Sequence, residues 1–223
     1  HSSVRALQRS ECEGALSAGV NMVLDAATTI SNATAGFTSV RGRSHTFDAR
    51  ADGYARGEAV DAIVSQTSED DVCVQATMSG SAIRQDGRSA SLTAPNGQAQ
   101  QGVLLASIAD ASRAPEEVTI LEAHGTGTAL GDPIEASAAA AVYLGDRSSS
   151  PLFISSLKAN AGHTEPGAGL AGALKLLMEL QDSIASPNAQ LRVLNPHVSA
   201  LREAGTTCAL PTQPARMYVD SGV

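Results

Sequence analysis

The sequence predicts an α/β layered fold, because strand-like and helical segments alternate through its second half. The strand-like segments are residues 117–123 and 151–157, and the helical segments are residues 133–144 and 166–182. The chain of 223 residues is 43% hydrophobic, which is enough for a sizeable core. Aromatic residues make up only 3% and Trp is absent, so this core must be built from Ala, Val, Leu and Ile.

The first 58 residues predict one helix, one strand and two loops. Residues 2–9 have a helical pattern, and the mainly apolar run 15–24 is typical of a strand that is buried on both faces. Residues 26–45 are rich in Ala, Thr, Ser and Gly and predict a loop that includes a short helix. Residues 47–58 concentrate charge and glycine, which indicates an ordered loop.

The middle of the chain predicts two more strands and an amphipathic helix. Residues 59–64 and 72–78 alternate well enough to be strands, and the polar residues 67–70 would form the turn between them. Residues 98–113 place apolar side chains along one stripe of a helix. From residue 183 onward the chain has little periodicity apart from a strand-like start at residues 216–219.

Composition and charge exclude several classes of function. The net charge of -8 argues against a surface that binds nucleic acid or an anionic membrane. No apolar run reaches the roughly 18 residues of a membrane span, so none is expected. Cys12, Cys73 and Cys208 show no metal-ligand spacing. Such a sparse set indicates reduced thiols and an intracellular protein, in the cytoplasm or, as the alternative, in a plastid.

Two histidines each follow a strand and precede a helix. His124 enters a loop rich in Gly and Thr, and His163 lies shortly after the strand-like run LFIS. Because ligands gather at the carboxyl ends of strands in such sheets, we expect both imidazoles at one site. There they can donate hydrogen bonds to a developing oxyanion or act as acid and base. The alternative is that each histidine is a loop residue that binds only backbone groups.

Three charged residues lie near these histidines in the sequence. Asp132 and Glu135 fit the N-cap and N3 positions of the helix that follows, with Pro133 at N1. Capping alone explains both carboxylates, and a role in orienting His or Lys side chains is the alternative. Lys158 can bind a carboxylate, lower the pKa of neighbouring groups or pair with Glu135, unless it is simply solvated.

Four long motifs resemble the β-ketoacyl synthase family, and most closely the ketosynthase domains of modular type I polyketide synthases. Residues 122–135, EAHGTGTALGDPIE, resemble the first histidine motif of that family, and residues 156–165, SLKANAGHTE, resemble the second. Residues 47–58, FDARADGYARGE, and residues 92–100, LTAPNGQAQ, are similar to the polyketide branch. The likeness extends over essentially the whole chain.

The resemblance implies a thiolase-like fold of α-β-α-β-α layers and a decarboxylative Claisen condensation in polyketide or fatty acid synthesis. It implies no cofactor in this domain, substrates carried on the phosphopantetheine of an acyl carrier protein, neighbouring polyketide synthase domains and a homodimer. His124 and His163 would stabilise the enolate from malonyl decarboxylation, and Lys158 would polarise the region of His163. Asp132 and Glu135 would support that network.

The sequence departs from the family at its nucleophile. Alignment places the family's cysteine elbow before His1 and its glycine-rich oxyanion loop after Val223, and Cys12 is the wrong cysteine for the task. We therefore expect an incomplete fold, in which residues 1–45 end the N-terminal half and residues 46–223 form most of the C-terminal half. Such a fragment is expected to be inactive and poorly stable alone.

A non-condensing relative is the alternative function: a decarboxylase, a structural protein or a homologue that resembles a chain-length factor. It would keep the fold and the dimer surface without the cysteine. A thiolase proper is a weaker interpretation, because its reaction uses a second cysteine in a glycine-rich C-terminal context and the sequence shows no match.

Overall fold

The computed structural model of the chain describes residues 1–67, 74–89, 91, 94–145, 147, 150–201 and 207–217. Its α-helices are Ser2–Gln8 (α1), Ala26–Thr34 (α2), Gly97–Asp110 (α3), Gly131–Tyr143 (α4), Lys158–Ala161 (α5) and Ala168–Asp182 (α6). Its strands are Gly14–Asn21 (β1), Ala59–Gln66 (β2), Ile120–Glu122 (β3), Leu152–Ser155 (β4), Ile184–Ala185 (β5), Cys208–Ala209 (β6) and Ala215–Arg216 (β7). Short 3-10 helices lie at Pro115–Glu117, Glu165–Gly167 and Pro196–Leu201.

A parallel sheet with the strand order β3-β4-β6 organises the second half of the chain. Leu121 of β3 lies opposite Ile154 of β4, so the carboxyl ends of these two strands lie side by side. All of β4 is buried because its alternate side chains enter two apolar clusters. Leu152 and Ile154 pack with residues of α3 and α4, whereas Phe153 packs with β5 and the residue after β7. Coverage of both faces confirms the predicted layered α/β fold.

An antiparallel pair joins β1 to β2. β2 confirms the strand predicted for that segment. The expectation that β1 is buried on both faces is wrong, because Leu16 and Val20 are 68% and 52% exposed. Both lie opposite valines of β2, Val64 and Val60, on the same face of the pair. Only the other face is covered, where Gly19 packs closely against the 3-10 helix that follows His163.

Several other segments depart from the sequence-based expectations. The predicted strand 72–78 is wrong over residues 74–78, which are irregular. Its first two residues lie outside the described residues, as does most of the predicted turn at 67–70. Lys158 begins a helical turn, α5, where a loop was expected. The tail contains the short strands β5, β6 and β7. Of the strand-like start predicted at 216–219, Arg216 lies in β7, whereas residues 218 and 219 lie outside the described residues.

The ordered loop predicted for residues 47–58 is confirmed, and it links distant parts of the chain. Its isolated bridges join Thr38 to Tyr54, Asp48 to Leu194 and Arg56 to His163. The fully buried Asp48 carboxylate also accepts the backbone amides of Arg192 and Val193 at 2.7 and 3.0 Å. Among the described helices, none is both long and apolar enough to cross a bilayer.

Candidate active site

The imidazole rings of His124 and His163 meet at the carboxyl edge of the parallel sheet. Their centroids are 5.5 Å apart and their planes are inclined by 88°. This proximity follows from the pairing of β3 with β4, because His124 follows one strand directly and His163 follows the other after a single helical turn. The structure therefore brings together the two histidines that the sequence predicts for one site.

His163 is fixed by backbone contacts on both sides. Its amide donates to the Ala55 carbonyl at 2.7 Å, and its carbonyl accepts the Gly57 amide at 2.8 Å. The amide of Glu165 donates to Nδ1 of the ring at 3.0 Å. Since Nδ1 accepts a hydrogen bond, the neutral ring carries its proton on Nε2. The edge of Tyr54 lies against the same ring, with centroids 4.9 Å apart.

The loop that carries His124 is held by the Glu135 carboxylate. One oxygen of Glu135 accepts the His124 amide at 2.6 Å, and the other accepts the Gly125 amide at 2.8 Å. Two short bonds from one carboxylate fix the direction in which the His124 backbone leaves β3. Burial raises the pKa of Glu135, and these two amide donors oppose that shift.

The Asp132 carboxylate, which is fully buried, holds the rest of the loop. It accepts the amide of Gly127 at 3.0 Å and that of Phe47 at 2.8 Å. Burial raises its pKa to about 7. The interpretation of Asp132 and Glu135 as simple caps is wrong, because α4 begins at Gly131 and its N-cap is Leu130, whose side chain forms no capping bond. The first amide of the helix, that of Gly131, donates to the Thr128 hydroxyl at 3.1 Å. Both carboxylates instead reach back from α4 to the histidine loop.

Gly125 is required where three segments converge. Its φ is +47°, and an added Cβ would lie 2.6 Å from Cβ of Ser156 and 2.7 Å from Cγ2 of Thr46. The Thr46 hydroxyl donates to the Gly125 carbonyl at 2.6 Å. Any side chain at this position would therefore push the histidine loop away from Thr46 and from the residue after β4.

Lys158 is the first residue of α5 and is only 6% exposed, so the interpretation as a solvated lysine is wrong. Within the described part of the chain it forms no ion pair, so the direct pair with Glu135, one of the possible roles, is absent. Burial lowers its pKa, and the carboxylates of Glu122, Glu135 and Asp132 oppose that shift from a distance. The effect of Lys158 on the pKa of the neighbouring groups therefore comes from its charge at a distance and not from a salt bridge.

Both imidazoles are neutral at pH 7. Burial, followed by the charge of Lys158, lowers the pKa of His163 to about 4, with Glu165 opposing the shift. Burial, Lys158 and His163 lower the pKa of His124 to about 4 as well. His124 is the more exposed of the two, so water moderates the burial effect at its ring more than at His163. Since an ordinary histidine pKa is already about 6.5, neither ring is charged in the neutral range.

Replacing Lys158 with Met should raise the pKa of both His124 and His163, because the cation that repels each imidazolium is removed. Both values should stay below about 6.5, since burial remains. A proton NMR titration of the histidine ring signals measures the two shifts. The matched control is Arg43→Met, which removes an exposed cation and should leave both titrations unchanged. Unchanged histidine titrations in the Lys158 variant would contradict the effect of its field.

A buried charge network lies behind the site and was not predicted from the sequence. The Lys175 ammonium contacts Glu122 Oε2 at 2.6 Å, Ser155 Oγ at 2.6 Å and Glu179 Oε1 at 3.0 Å. The other oxygen of Glu122 accepts the Leu157 amide at 2.6 Å. The network thus joins the ends of β3 and β4 to α6. The i,i+4 spacing of Lys175 and Glu179 was the available signal, and the same spacing is common on exposed helix faces.

The described cysteines lie away from the two histidines. Cys208 pairs with Leu152 at the start of β4, whereas the histidines follow the other end of that sheet. Burial raises the pKa of the Cys208 thiol to about 11. Cys12 precedes β1, and the far end of β1, Asn21, is the end that binds Gly57 beside His163. A strand of this length separates its two ends by about 25 Å. Cys73 lies outside the described residues.

Family models match most of the chain, from residue 1 to residue 192. The model described as the N-terminal domain of β-ketoacyl synthases matches residues 1–71, and the C-terminal domain of β-ketoacyl synthases matches residues 75–192. The division of the chain near residue 45 stays a prediction.

Curated relatives are large polyketide synthases. A phenolphthiocerol/phthiocerol polyketide synthase of Mycobacterium tuberculosis is 42% identical over 203 residues, which cover 89% of this chain and 11% of that protein. Erythronolide synthase EryA2 of Saccharopolyspora erythraea is 40% identical over 202 residues, covering 89% of this chain and 6% of that protein. The chain therefore spans about a tenth or less of these relatives.

A solved ketosynthase has the same fold. The ketosynthase from module 6 of the bacillaene synthase of Bacillus subtilis 168 superposes with a TM-score of 0.92 at 29% identity. The match covers 100% of this chain and 40% of that chain. This agreement confirms the thiolase-like layered fold for the residues present here.

Proposed function

The chain belongs to the β-ketoacyl synthase family, and on this premise we propose that it takes part in a decarboxylative Claisen condensation. In that reaction an acyl group on an enzyme cysteine is extended by a malonyl-type unit on an acyl carrier protein, in polyketide or fatty acid synthesis. The observation that carries the proposal is the meeting of two neutral imidazoles, His124 and His163, at one edge of a parallel sheet.

The first step that we assign to this site is decarboxylation of the malonyl thioester. The bond between the carboxylate carbon and the α-carbon breaks, CO2 leaves, and the electron pair forms an enolate at the thioester carbonyl. The Nε2–H of His163 donates to the enolate oxygen, and the neighbouring ring of His124 is the second donor. The enolate carbon then attacks the acyl thioester, and the cysteine thiolate leaves.

The charged residues support this step in different ways. The positive charge of Lys158 disfavours the imidazolium forms and stabilises the negative charge that develops on the enolate. Glu135 and Asp132 hold the backbone of the histidine loop, so that His124 needs no reorganisation as charge develops. We therefore assign Lys158 to the electrostatics of the step and the two carboxylates to positioning.

The partners that we propose follow from the chemistry and from the kind of relatives. A malonyl unit on a flexible phosphopantetheine arm can reach an edge of the sheet, and this implies an acyl carrier protein as the partner. The decarboxylation and the carbon–carbon bond formation need no further cofactor in this domain. The curated relatives are polyketide synthases, which supports neighbouring synthase domains as the setting. The homodimer is part of the same proposal and follows from the resemblance alone.

The test is an assay with a malonyl thioester of pantetheine, with and without an acyl thioester. The complete gene product and the 223-residue chain are compared. We expect CO2 release by the gene product and a β-ketoacyl thioester when the acyl donor is present. If the complete gene product forms no β-ketoacyl thioester when the acyl donor is present, the proposed condensation fails.

A non-condensing ketosynthase-like protein is the second candidate, favoured by the distance of the described cysteines from the histidines. It would release CO2, and the enolate carbon would then take a proton from water, which leaves an acetyl-type thioester without condensation. Sequencing the codons upstream of His1 separates the two candidates. A cysteine in a Ser-rich elbow supports condensation, whereas Gln or another residue there supports a decarboxylase or a structural protein.

A further inference from the structure

We propose that Arg56 and Glu165 are positioning residues for His163, resting on the function proposed above. Their ion pair holds the Glu165 amide against Nδ1 of His163, and this keeps the Nε2 proton on the far side of the ring available to the substrate. The proposal concerns two residues outside the set predicted from the sequence, and it is carried by the geometry of one short segment.

The ion pair has the geometry of a clamp. Arg56 Nε lies 2.9 Å from Glu165 Oε1, and Nη2 lies 3.2 Å from Oε2, so two parallel hydrogen bonds join the side chains. The Arg56 side chain is only 9% exposed, so water competes little for the pair. Nη1 also donates to the Thr29 hydroxyl at 2.7 Å, anchoring the arginine to α2.

The clamp holds a strained backbone. Glu165 has a φ of +44°, a left-handed conformation that residues other than glycine rarely adopt. In this conformation its amide points back to the ring two residues earlier and donates to Nδ1 at 3.0 Å. A residue kept in a disfavoured conformation needs a restraint, and the Arg56 pair supplies one from outside the segment.

The other side of the clamp positions His163 itself. Arg56 and His163 form an isolated parallel β-bridge. The residues on either side of Arg56 make its two hydrogen bonds, in which the Ala55 carbonyl accepts the His163 amide and the Gly57 amide donates to the His163 carbonyl. The same short strip therefore fixes the backbone of His163 directly and its ring through Glu165. Loss of the clamp frees the Glu165 amide, after which the ring can exchange the two neutral tautomers.

The test uses two variants that break the clamp with opposite changes of charge, Arg56→Gln and Glu165→Gln. Histidine 15N NMR of the complete gene product measures the tautomer of His163, with the signal assigned from His163→Gln. We expect an unprotonated Nδ1 in the wild type and a tautomer mixture in both variants. In the malonyl decarboxylation assay of the complete gene product, kcat should fall about tenfold in both, with KM nearly unchanged.

The opposite charges separate positioning from simple electrostatics. If the pair acted only through charge, removing a cation and removing an anion would shift the His163 titration and kcat in opposite directions, and that result would overturn the proposal. It is equally overturned if both variants keep a single His163 tautomer and wild-type kcat. Arg56→Lys keeps the positive charge but loses the planar guanidinium that forms two parallel hydrogen bonds. We therefore expect a smaller fraction of the second His163 tautomer and a smaller fall in kcat than in Arg56→Gln.

Arg5→Gln is the matched control, because it breaks a different arginine pair, with Asp110 at 2.7 Å, away from His163. It should leave the tautomer and kcat unchanged. The two readouts also distinguish the two proposals. Absence of decarboxylation by the wild-type gene product would overturn the proposed function, while the NMR comparison would still decide whether Arg56 and Glu165 fix His163.

Discussion

Replacing His163 with Ala should lower the rate of malonyl decarboxylation by the complete gene product by about 10²–10³-fold, as for loss of one oxyanion donor elsewhere. The physical reason is that its Nε2–H is the donor whose tautomer is fixed by a backbone amide. The loss should appear in kcat and in kcat/KM alike, because the bond to the oxygen strengthens only as the enolate forms. Substrate disappearance and CO2 release measure it.

His197→Ala is the control, because His197 is exposed in the 3-10 helix Pro196–Leu201 and should be neutral for the rate. His124→Ala should also strongly lower the rate of malonyl decarboxylation. The loss of rate in the double histidine variant should be smaller than the product of the two single losses, since both rings donate to the same oxygen. Wild-type turnover in His163→Ala would remove the basis for assigning the enolate to this site.

Replacing Lys175 with Met should destabilise the folded chain by about 3–5 kcal/mol, the usual consequence of removing one partner of a buried ion pair. Glu122 and Glu179 would lose their shared cation, and burial already raises the pKa of Glu122 against the opposing effect of Lys175. Urea unfolding followed by circular dichroism gives the change in the free energy of unfolding.

A triple variant that combines Lys175→Met with Glu122→Gln and Glu179→Gln should recover part of the lost stability, because no buried charge is then unpaired. The exposed i,i+4 pair of Arg113 with Glu117 is the control. Arg113→Met should change the stability by no more than about 0.5 kcal/mol. A loss below about 1 kcal/mol in Lys175→Met would mean that water reaches the network.

The sequence predicted the meeting of His124 and His163 because it depends on the order of consecutive strands and helices. Each histidine follows a strand of the same sheet, and parallel pairing brings the two strand ends together. Pairing of β6 with β4 could not be predicted, because two residues carry little pattern and their partner lies far away in the chain. The prediction overestimated the burial of β1, since an apolar run does not reveal which face of a strand is covered.

The roles of the charged residues were harder to predict. Asp132 and Glu135 match a capping pattern. The same spacing also lets their carboxylates reach back to the preceding loop. The sequence therefore does not distinguish a capping role from a role in holding that loop. Lys175 follows an apolar stripe and looks like a helix surface residue until its partners on β3 and β4 are known. In both examples the role of the charged residue depends on contacts with residues that are distant in the sequence.

The contacts of Thr46 and Phe47 with the histidine loop have a consequence for the order of folding. The hydrogen bond from Thr46 to Gly125 spans 79 positions in sequence, and the one from Phe47 to Asp132 spans 85. The entropy cost of closing a loop of this length opposes the contacts that close it, so such non-local contacts form slowly. The loop that carries His124 is therefore expected to order late, after the first fifth of the chain has docked onto the nascent sheet.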